Sequence, residues 1–310
     1  MEISSSTSSS KNEFRAIILW AVAIFVLVFC IDRVGAWGLS KLFLGTSSRH
    51  AELYRGGLQH DIVVVGNSRG VNGFFAPKIS SVTGKSTFNI SHNGMPACIV
   101  DTLVRDYVQM NESPKLVVIE ISCVGSKERP SSIANYRPYL NFSERFETLF
   151  KDKVPVEHRR SQVSHLHRMS SELFFRSLAY LKRSDQNWIN RRTINEAAIR
   201  RVEAGNPIEL AMSKKQAELI GQLASDLNEQ GIKVKLVLSP YLPQYLGKMT
   251  NLSDWIQQLE KYSGQEVFDY SGLPLIANGF ADNVHLNPVG SELFLQKLIE
   301  DNVIPGGTSQ

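Results

Sequence analysis

The sequence predicts a doubly wound α/β domain behind an N-terminal membrane-spanning helix, and three observations carry that expectation. Short apolar runs rich in β-branched residues recur along the chain, and the third, Lys115-Leu-Val-Val-Ile-Glu-Ile-Ser122, is nearly continuous. Strands buried on both faces of a parallel sheet read this way. Segments with a helical period separate the runs, giving the strand–helix rhythm of an α/β fold. Finally, residues 16–31 contain no charged side chain.

Composition sets the outer limits. The 310 residues suffice for one large domain with additions. A hydrophobic fraction of 43% and a charged fraction of 21% are ordinary for a globular protein. The net charge of +4 is mild and does not point to nucleic acid. Of the 3 cysteines, Cys30 lies in the apolar run, and Cys98 and Cys123 alone do not specify a disulfide framework.

Residues 1–13 begin Ser-rich and without apolar period, as a disordered tail does. The span follows, with residues 14–37 as its full extent. Asp32 and Arg33 fall at one interface and Trp37 beside them as an anchor. No small-x-small cleavage site follows, so an uncleaved signal anchor is expected rather than a removed signal peptide. Lys11 and Arg15 precede the span while Arg33 and Lys41 follow it, a weak bias. A short tail before a large domain suggests that the domain is exported. Residues 38–60 read as a linker or a first amphipathic helix.

The first strand is expected at Asp61–Gly66, then a short helix ended by Gly84, a second strand at Ser86–Ile90, a helix at Ala97–Met110 and the third strand. Residues 141–206 interrupt the rhythm with a helical insertion. Basic residues come in pairs there: Arg159-Arg160, Lys182-Arg183, Arg191-Arg192 and Arg200-Arg201. Between Lys151 and Arg201 there are 12 Lys/Arg against 5 Asp/Glu, a local surplus. It reads as a solvated insertion or as a face for anionic glycan or lipid headgroups. His158, His165 and His167 lie in it, but nothing in their spacing specifies a metal site. The rhythm resumes with a helix at Ser213–Gln230 before Gly231, a strand at Ile232–Ser239, a helix at Leu252–Tyr262 and a strand at Glu266–Tyr270. Pro288 opens the last helix, which runs to about Glu300.

Two stretches carry chemistry. In Asp61-Ile-Val-Val-Val-Gly-Asn-Ser-Arg-Gly70, Ser68 stands where a strand stops and a helix begins. A hydroxyl there projects from the C-terminal edge of the sheet, where open α/β sheets place their crevice; alternatively Ser68 only caps the next helix. Far downstream, Asp282-Asn-Val-His285 places a carboxylate three residues before an imidazole. Histidine titrates near working pH and suits the role of a base that activates a serine hydroxyl. A carboxylate in the same turn can hold the other ring nitrogen and fix the tautomer.

These stretches resemble the SGNH/GDSL hydrolase superfamily. Gly66-Asn-Ser-Arg69 resembles its first block, with Asn67 in place of the usual Asp. Phe88-Asn-Ile-Ser-His-Asn-Gly94 is similar to the second, and Asp282-Asn-Val-His285 followed by Leu-Asn matches the last. The third block departs: the third strand ends Glu120-Ile-Ser-Cys-Val-Gly125, without the Asn that normally follows it. Membrane-anchored relatives that modify extracellular polysaccharide, and related D-alanyl-transfer proteins, are the nearest comparison.

The resemblance implies a flavodoxin-like three-layer sandwich with a central parallel sheet. It implies Ser68 as nucleophile, His285 as base and Asp282 as its orienter. Backbone N–H groups of Ser68 and Gly94 are then expected in the oxyanion hole, with Asn93 a candidate for the missing donor. Arg69 is a candidate for meeting an anionic substrate or, equally, for a structural ion pair. The expected activity is hydrolysis or transfer of an O-acyl group, foremost acetyl, on a cell-surface glycan, without a cofactor or metal. A membrane-bound acyl donor protein is a further expected partner. The alternative is a catalytically silent glycan-binding or scaffold subunit of a polysaccharide assembly system.

Overall fold

The computed structural model describes residues 6–125 and 127–306, with the side chains of residues 6–11 left out. Five parallel strands form one sheet: β1 (Ile62–Val65), β2 (Thr87–Asn89), β3 (Leu116–Glu120), β4 (Lys233–Leu238) and β5 (Val267–Asp269). Their order is β2-β1-β3-β4-β5, which reverses between β1 and β3. The C-terminal ends of those two strands therefore flank the crevice that such sheets offer a ligand.

Alternation along the strands explains the two-sided burial. Val63, Val65, Val117, Ile119, Leu236 and Leu238 enter one apolar cluster. Ile62, Val64, Leu116, Val118 and Val237 enter another on the opposite face. Side chains one residue apart point to opposite faces, so a run of valines feeds both cores.

The helices in chain order begin with α1 (Ser6–Leu44) and α2 (Arg49–Arg55). Then come α3 (Ser68–Gly73), α4 (Ala76–Thr83) and α5 (Ala97–Met110). The region between β3 and β4 holds α6 (Pro130–Ala134), α7 (Glu144–Lys153), α8 (Pro155–Val163), α9 (His165–Arg168), α10 (Glu172–Ser177), α11 (Glu196–Glu203) and α12 (Lys214–Glu229). After β4 come α13 (Pro243–Leu246), α14 (Leu252–Ser263) and α15 (Pro288–Glu300). Helices α2, α5, α12 and α14 cover the first cluster, and α4 and α15 the second. Gly221 lets α12 lie against α14, because a Cβ there would stand 2.2 Å from the Ser263 carbonyl oxygen.

Helix α1 contains a segment, Asn12–Leu44, that is long and apolar enough to cross a membrane. Of the residues 1–13 expected as a tail, those from Ser6 on belong to this helix, and residues 1–5 lie outside the described residues. Extending a nucleated helix costs little even for serine. Residues 38–60, expected as a linker or a first amphipathic helix, include helix α2 and belong to the folded frame. Phe43, Ala51 and Leu53 are fully buried, and Ser48 caps α2 by accepting the Ala51 N–H.

The helical region is also less of an appendage than its charge implies. It starts at Pro130, and Tyr139, Phe146 and Phe150 are buried in the first cluster. The paired basic residues stay exposed, because taking a charge out of water is costly. At the other end Val303 and Ile304 are buried, so the core reaches past the last helix. Cys98 and Cys123 are free, buried thiols.

Candidate active site

Strand β1 ends against β3 so tightly that residue 66 has no room for a side chain. A Cβ on Gly66 would lie 2.7 Å from Glu120 Cβ and 2.9 Å from its carbonyl oxygen. The chain then turns into α3, and Asn67 caps that helix: its Oδ1 accepts the Arg69 N–H at 2.9 Å. Ser68 is therefore the first helical residue rather than the cap. Its hydroxyl is free for other work, and it lies half-buried at the sheet edge.

The last loop is built to meet it. Phe280 and Leu286 pair across the loop as an antiparallel bridge. Asn287 accepts the N–H groups of Val289 and Gly290, which starts α15, and donates to the Asn278 carbonyl at 2.7 Å. Between these supports, Asp282 Oδ1 accepts the backbone N–H groups of Val284 and His285 at 3.0 and 2.9 Å. Its Oδ2 accepts His285 Nδ1–H at 2.8 Å. Ser68 Oγ donates to His285 Nε2 at 2.7 Å. The three residues, 217 positions apart at the extremes, thus form one hydrogen-bonded chain. Partial burial pushes the Asp282 carboxyl up, but the His285 hydrogen bond and the two backbone N–H groups outweigh it and hold the group below its usual range. An ionised Asp282 keeps His285 in the tautomer whose Nε2 accepts the serine proton.

The loop after β2 reaches the same edge. The His92 N–H donates to the Gly66 carbonyl at 3.2 Å, which sets Asn93 and Gly94 beside the turn that carries Ser68. Gly94 needs its glycine, with φ of 69°. Both residues are exposed, and among the described residues no hydrogen bond joins either to Ser68 or His285.

Arg69 takes the second of its two expected roles, that of a structural ion pair. Its side chain turns inward and is 4% exposed. Its Nε lies 3.6 Å from Glu120 Oε1, its Nη2 donates to the Ser239 and Pro240 carbonyls, and the guanidinium covers the Tyr241 ring at 3.4 Å. It is an interior ion pair rather than a substrate contact. Successive helix positions point about 100° apart, so Ser68 in the crevice leaves Arg69 facing the core.

Sequence reasoning passed over three neighbours. Glu120 is fully buried, a residue type that rarely is unless paired. Ser122 Oγ lies 2.5 Å from Glu120 Oε2 and 3.1 Å from Asn67 Oδ1, at the end of β3 where the Asn is missing. Asn72 accepts the Asn190 N–H at 3.2 Å and so ties α3 to the helical region. A break in strand polarity at Glu120 was the available signal for the first.

The stretch after α10 crosses this side of the molecule as a strap. Gln186 exchanges hydrogen bonds with the Asn89 backbone, the Ile194 N–H donates to the Phe280 carbonyl, and Asn287 Nδ2 contacts the Arg192 carbonyl. A cavity of about 250 Å³ lies beneath it, lined by His50, Val71, Asn93, Tyr180 and Trp188 among others. Val71 stands one turn after Ser68 on α3, while Ser68, Asp282 and His285 do not line this cavity. Two of the three histidines of the helical region are paired with carboxylates, His158 with Glu147 at 2.7 Å and His167 with Glu157 at 2.9 Å. Among the described residues no three His, Cys, Asp or Glu side chains converge as a metal site.

Compared with models of known protein families and with curated proteins, the chain finds no match.

Proposed function

We propose that this chain is a membrane-anchored SGNH-type serine esterase or O-acyltransferase, acting on acyl esters, foremost acetyl, of a cell-surface polysaccharide. The observation that carries the reading is the Ser68–His285–Asp282 chain, with heavy-atom distances of 2.7 and 2.8 Å. The supporting argument is chemical: a nucleophile, a base in contact with it and an orienter in contact with the base are what acyl transfer requires.

In this mechanism Ser68 Oγ attacks the ester carbonyl carbon while its proton passes to His285 Nε2. The carbonyl oxygen becomes an oxyanion. As the intermediate collapses, the ester C–O bond breaks and His285 returns the proton to the leaving alkoxide. The acyl-serine is then released to water, which completes hydrolysis, or to a sugar hydroxyl, which completes transfer; His285 deprotonates either one. Ser68 and Gly94 offer backbone N–H groups to the oxyanion.

Asn67 replaces the side-chain donor absent from the third block. Its Oδ1 is held by the Arg69 N–H and by Ser122, which fixes the amide plane. Its Nδ2 group has no hydrogen-bond partner among the described residues, and Asn67 directly precedes the nucleophile in the chain. One such donor is worth about 10²–10³-fold in kcat.

The test uses the full chain in detergent or nanodiscs, since Ala36 and Phe43 of α1 are buried in the fold. A fluorophosphonate probe is added and the product is mapped by mass. Covalent labelling at Ser68 is expected, lost in Ser68→Ala and His285→Ala. Labelling at another serine, or none in well-folded protein, rejects the reading. Adding a glycan acceptor to acetyl-loaded enzyme then separates transfer from hydrolysis.

A further inference from the structure

Helix α1 is joined to the domain at a fixed place. Asp32 accepts Ser164 Oγ–H at 2.5 Å and the N–H groups of His165 and Leu166 at 2.8 and 3.1 Å, so the side chain ending the apolar run caps α9. Leu166 packs on Gly35, where a Cβ would stand 3.2 Å from its Cδ2. Ser40 Oγ contacts Met169 Sδ and accepts from Asn141. An anchor held at three successive turns is part of the domain's rigid frame, not a tether.

The length of the span places that junction at the bilayer. The uncharged run of residues 16–31 is about 24 Å long at 1.5 Å per residue. The hydrocarbon core is about 30 Å thick. With Arg15 at one boundary, the other falls near residue 35, beyond Asp32 and level with α8 and α9. The side chains there fit such a boundary. Val34 and Trp37 are 66% and 65% exposed, and Val163, at the end of α8, is 80% exposed. Arg159 and Arg160 on α8 are exposed too. The neighbouring carboxylates are engaged: Glu157 with Arg137, Arg160 and His167, and Glu147 with His158 and Arg168.

Beside Trp37 a groove of about 290 Å³ runs between α1 and α9, lined by Arg33, Trp37, Ser40, Lys41, Asn141 and His165 among others. Arg33 pairs with Asp32 at 3.0 Å and keeps further N–H groups. Lys41 has no ion-pair partner among the described residues. Burial first, then the charges of Arg168 and Arg33, hold His165 below its ordinary pKa, so it presents a neutral N–H donor. Cations, a neutral donor and an aromatic at headgroup depth are complementary to a lipid phosphate.

We infer that the domain seats directly on the bilayer through the end of α8, and that the groove between α1 and α9 holds the phosphate of an anionic phospholipid. This rests on the membrane-spanning reading of α1 and is independent of the Ser68 chemistry. A seated domain holds the crevice at one height above the membrane.

The test places the full chain in nanodiscs of phosphatidylcholine, with or without phosphatidylglycerol. In a Cys30→Ser background, spin labels are attached at Val163→Cys and, as an aqueous control, at Val82→Cys on α4. The label at 163 is expected to be accessible to oxygen and shielded from a water-soluble nickel relaxant, with the opposite at 82. A label at 163 as aqueous as that at 82 overturns the seating. Dipolar coupling between labels at 163 assigns the face to a second copy of the chain and overturns it as well. For the groove, retention of phosphatidylglycerol by native mass spectrometry is expected to fall about fivefold in Lys41→Ala. Equal retention of both lipids, or no change in Lys41→Ala, overturns the headgroup site. Loss of the whole chain in a carbonate wash rejects the anchor itself and with it this inference, leaving the reading of Ser68 untouched.

Discussion

Ser68 and Arg69 are neighbours on one short helix, yet they belong to opposite kinds of polar cluster. The Ser68–His285–Asp282 chain lies half-exposed at the sheet edge, each member with a partner and with room beside it. The Arg69–Glu120 pair is sealed beneath, 4% and 0% exposed, with Ser122 and the Ser239 N–H on the carboxylate. Desolvation sets the difference. A buried charge pair is costly to form and more costly to break, so it serves the frame. A half-exposed chain keeps one face open to a reactant and can change protonation without unfolding the protein. One cluster should therefore fail in activity and the other in stability.

The sharpest test of that division is Ser68→Ala. Activity toward an acyl ester should fall by about 10⁴-fold or more, with the urea midpoint almost unchanged, because Asn67 rather than Ser68 caps the helix. His285→Ala should match it, and the double variant should be little worse, because the residues act as a unit. A large loss of stability in Ser68→Ala would erase the distinction.

Next comes Glu120→Ala, which should cost about 3–5 kcal/mol by leaving Arg69 buried without its partner. Replacing both members, as in Arg69→Met with Glu120→Leu, should recover most of that loss in chemical denaturation. If the double variant stays as unstable as the single one, the pair does more than balance charge.

Asn67→Asp probes the border between the clusters. The carboxylate still caps α3 by accepting the Arg69 N–H, so the melting temperature should hold. The Nδ2–H donor is lost, and kcat should drop about 10²–10³-fold with little change in KM. Unchanged kcat would remove Asn67 from the oxyanion site.

The smallest effect concerns acid. Burial, with smaller effects from His92 and Arg49, pushes His50 down from 6.5 to about 3. Unfolded chains therefore bind a proton that the folded protein resists, and stability should decline as pH falls below about 6.5, continuing toward 3. Asp282 acts differently: its lowered value adds stability above the ordinary carboxylate range and loses it only as pH falls through that lower value. Urea unfolding between pH 7 and 4.5 should show the decline in the parent and a shallower one in His50→Gln, which keeps a donor for the Ile90 carbonyl, while His92, pushed down by burial to about 4, keeps the rest of the slope. A parent curve flat over this interval would contradict the neutral, buried imidazole.

By itself the sequence determined the elements that short-range pattern specifies. The Ala97–Met110 helix and the Pro288–Glu300 helix fall where period and caps put them, and each expected strand contains an observed one. Hydrophobic period and glycine or proline punctuation act over a few residues, so they are readable without the fold. The Ser68, Asp282 and His285 positions were legible for a related reason: strand ends and turn residues mark the sheet edge. What only the tertiary structure decided were the partners. The sequence leaves Arg69 open between an anionic substrate and a structural ion pair, and only the fold, which turns its side chain inward, puts it on Glu120. Residues 38–60 are of mixed polarity and read as a linker or a first amphipathic helix, and only packing against Tyr139 and Phe142 makes Phe43 core. Asp32 reads as the end of a span, and only the arrival of α9, more than 130 residues later in the chain, makes it a cap. Burial and long-range hydrogen bonds depend on which distant segments meet, and the local pattern does not contain that information.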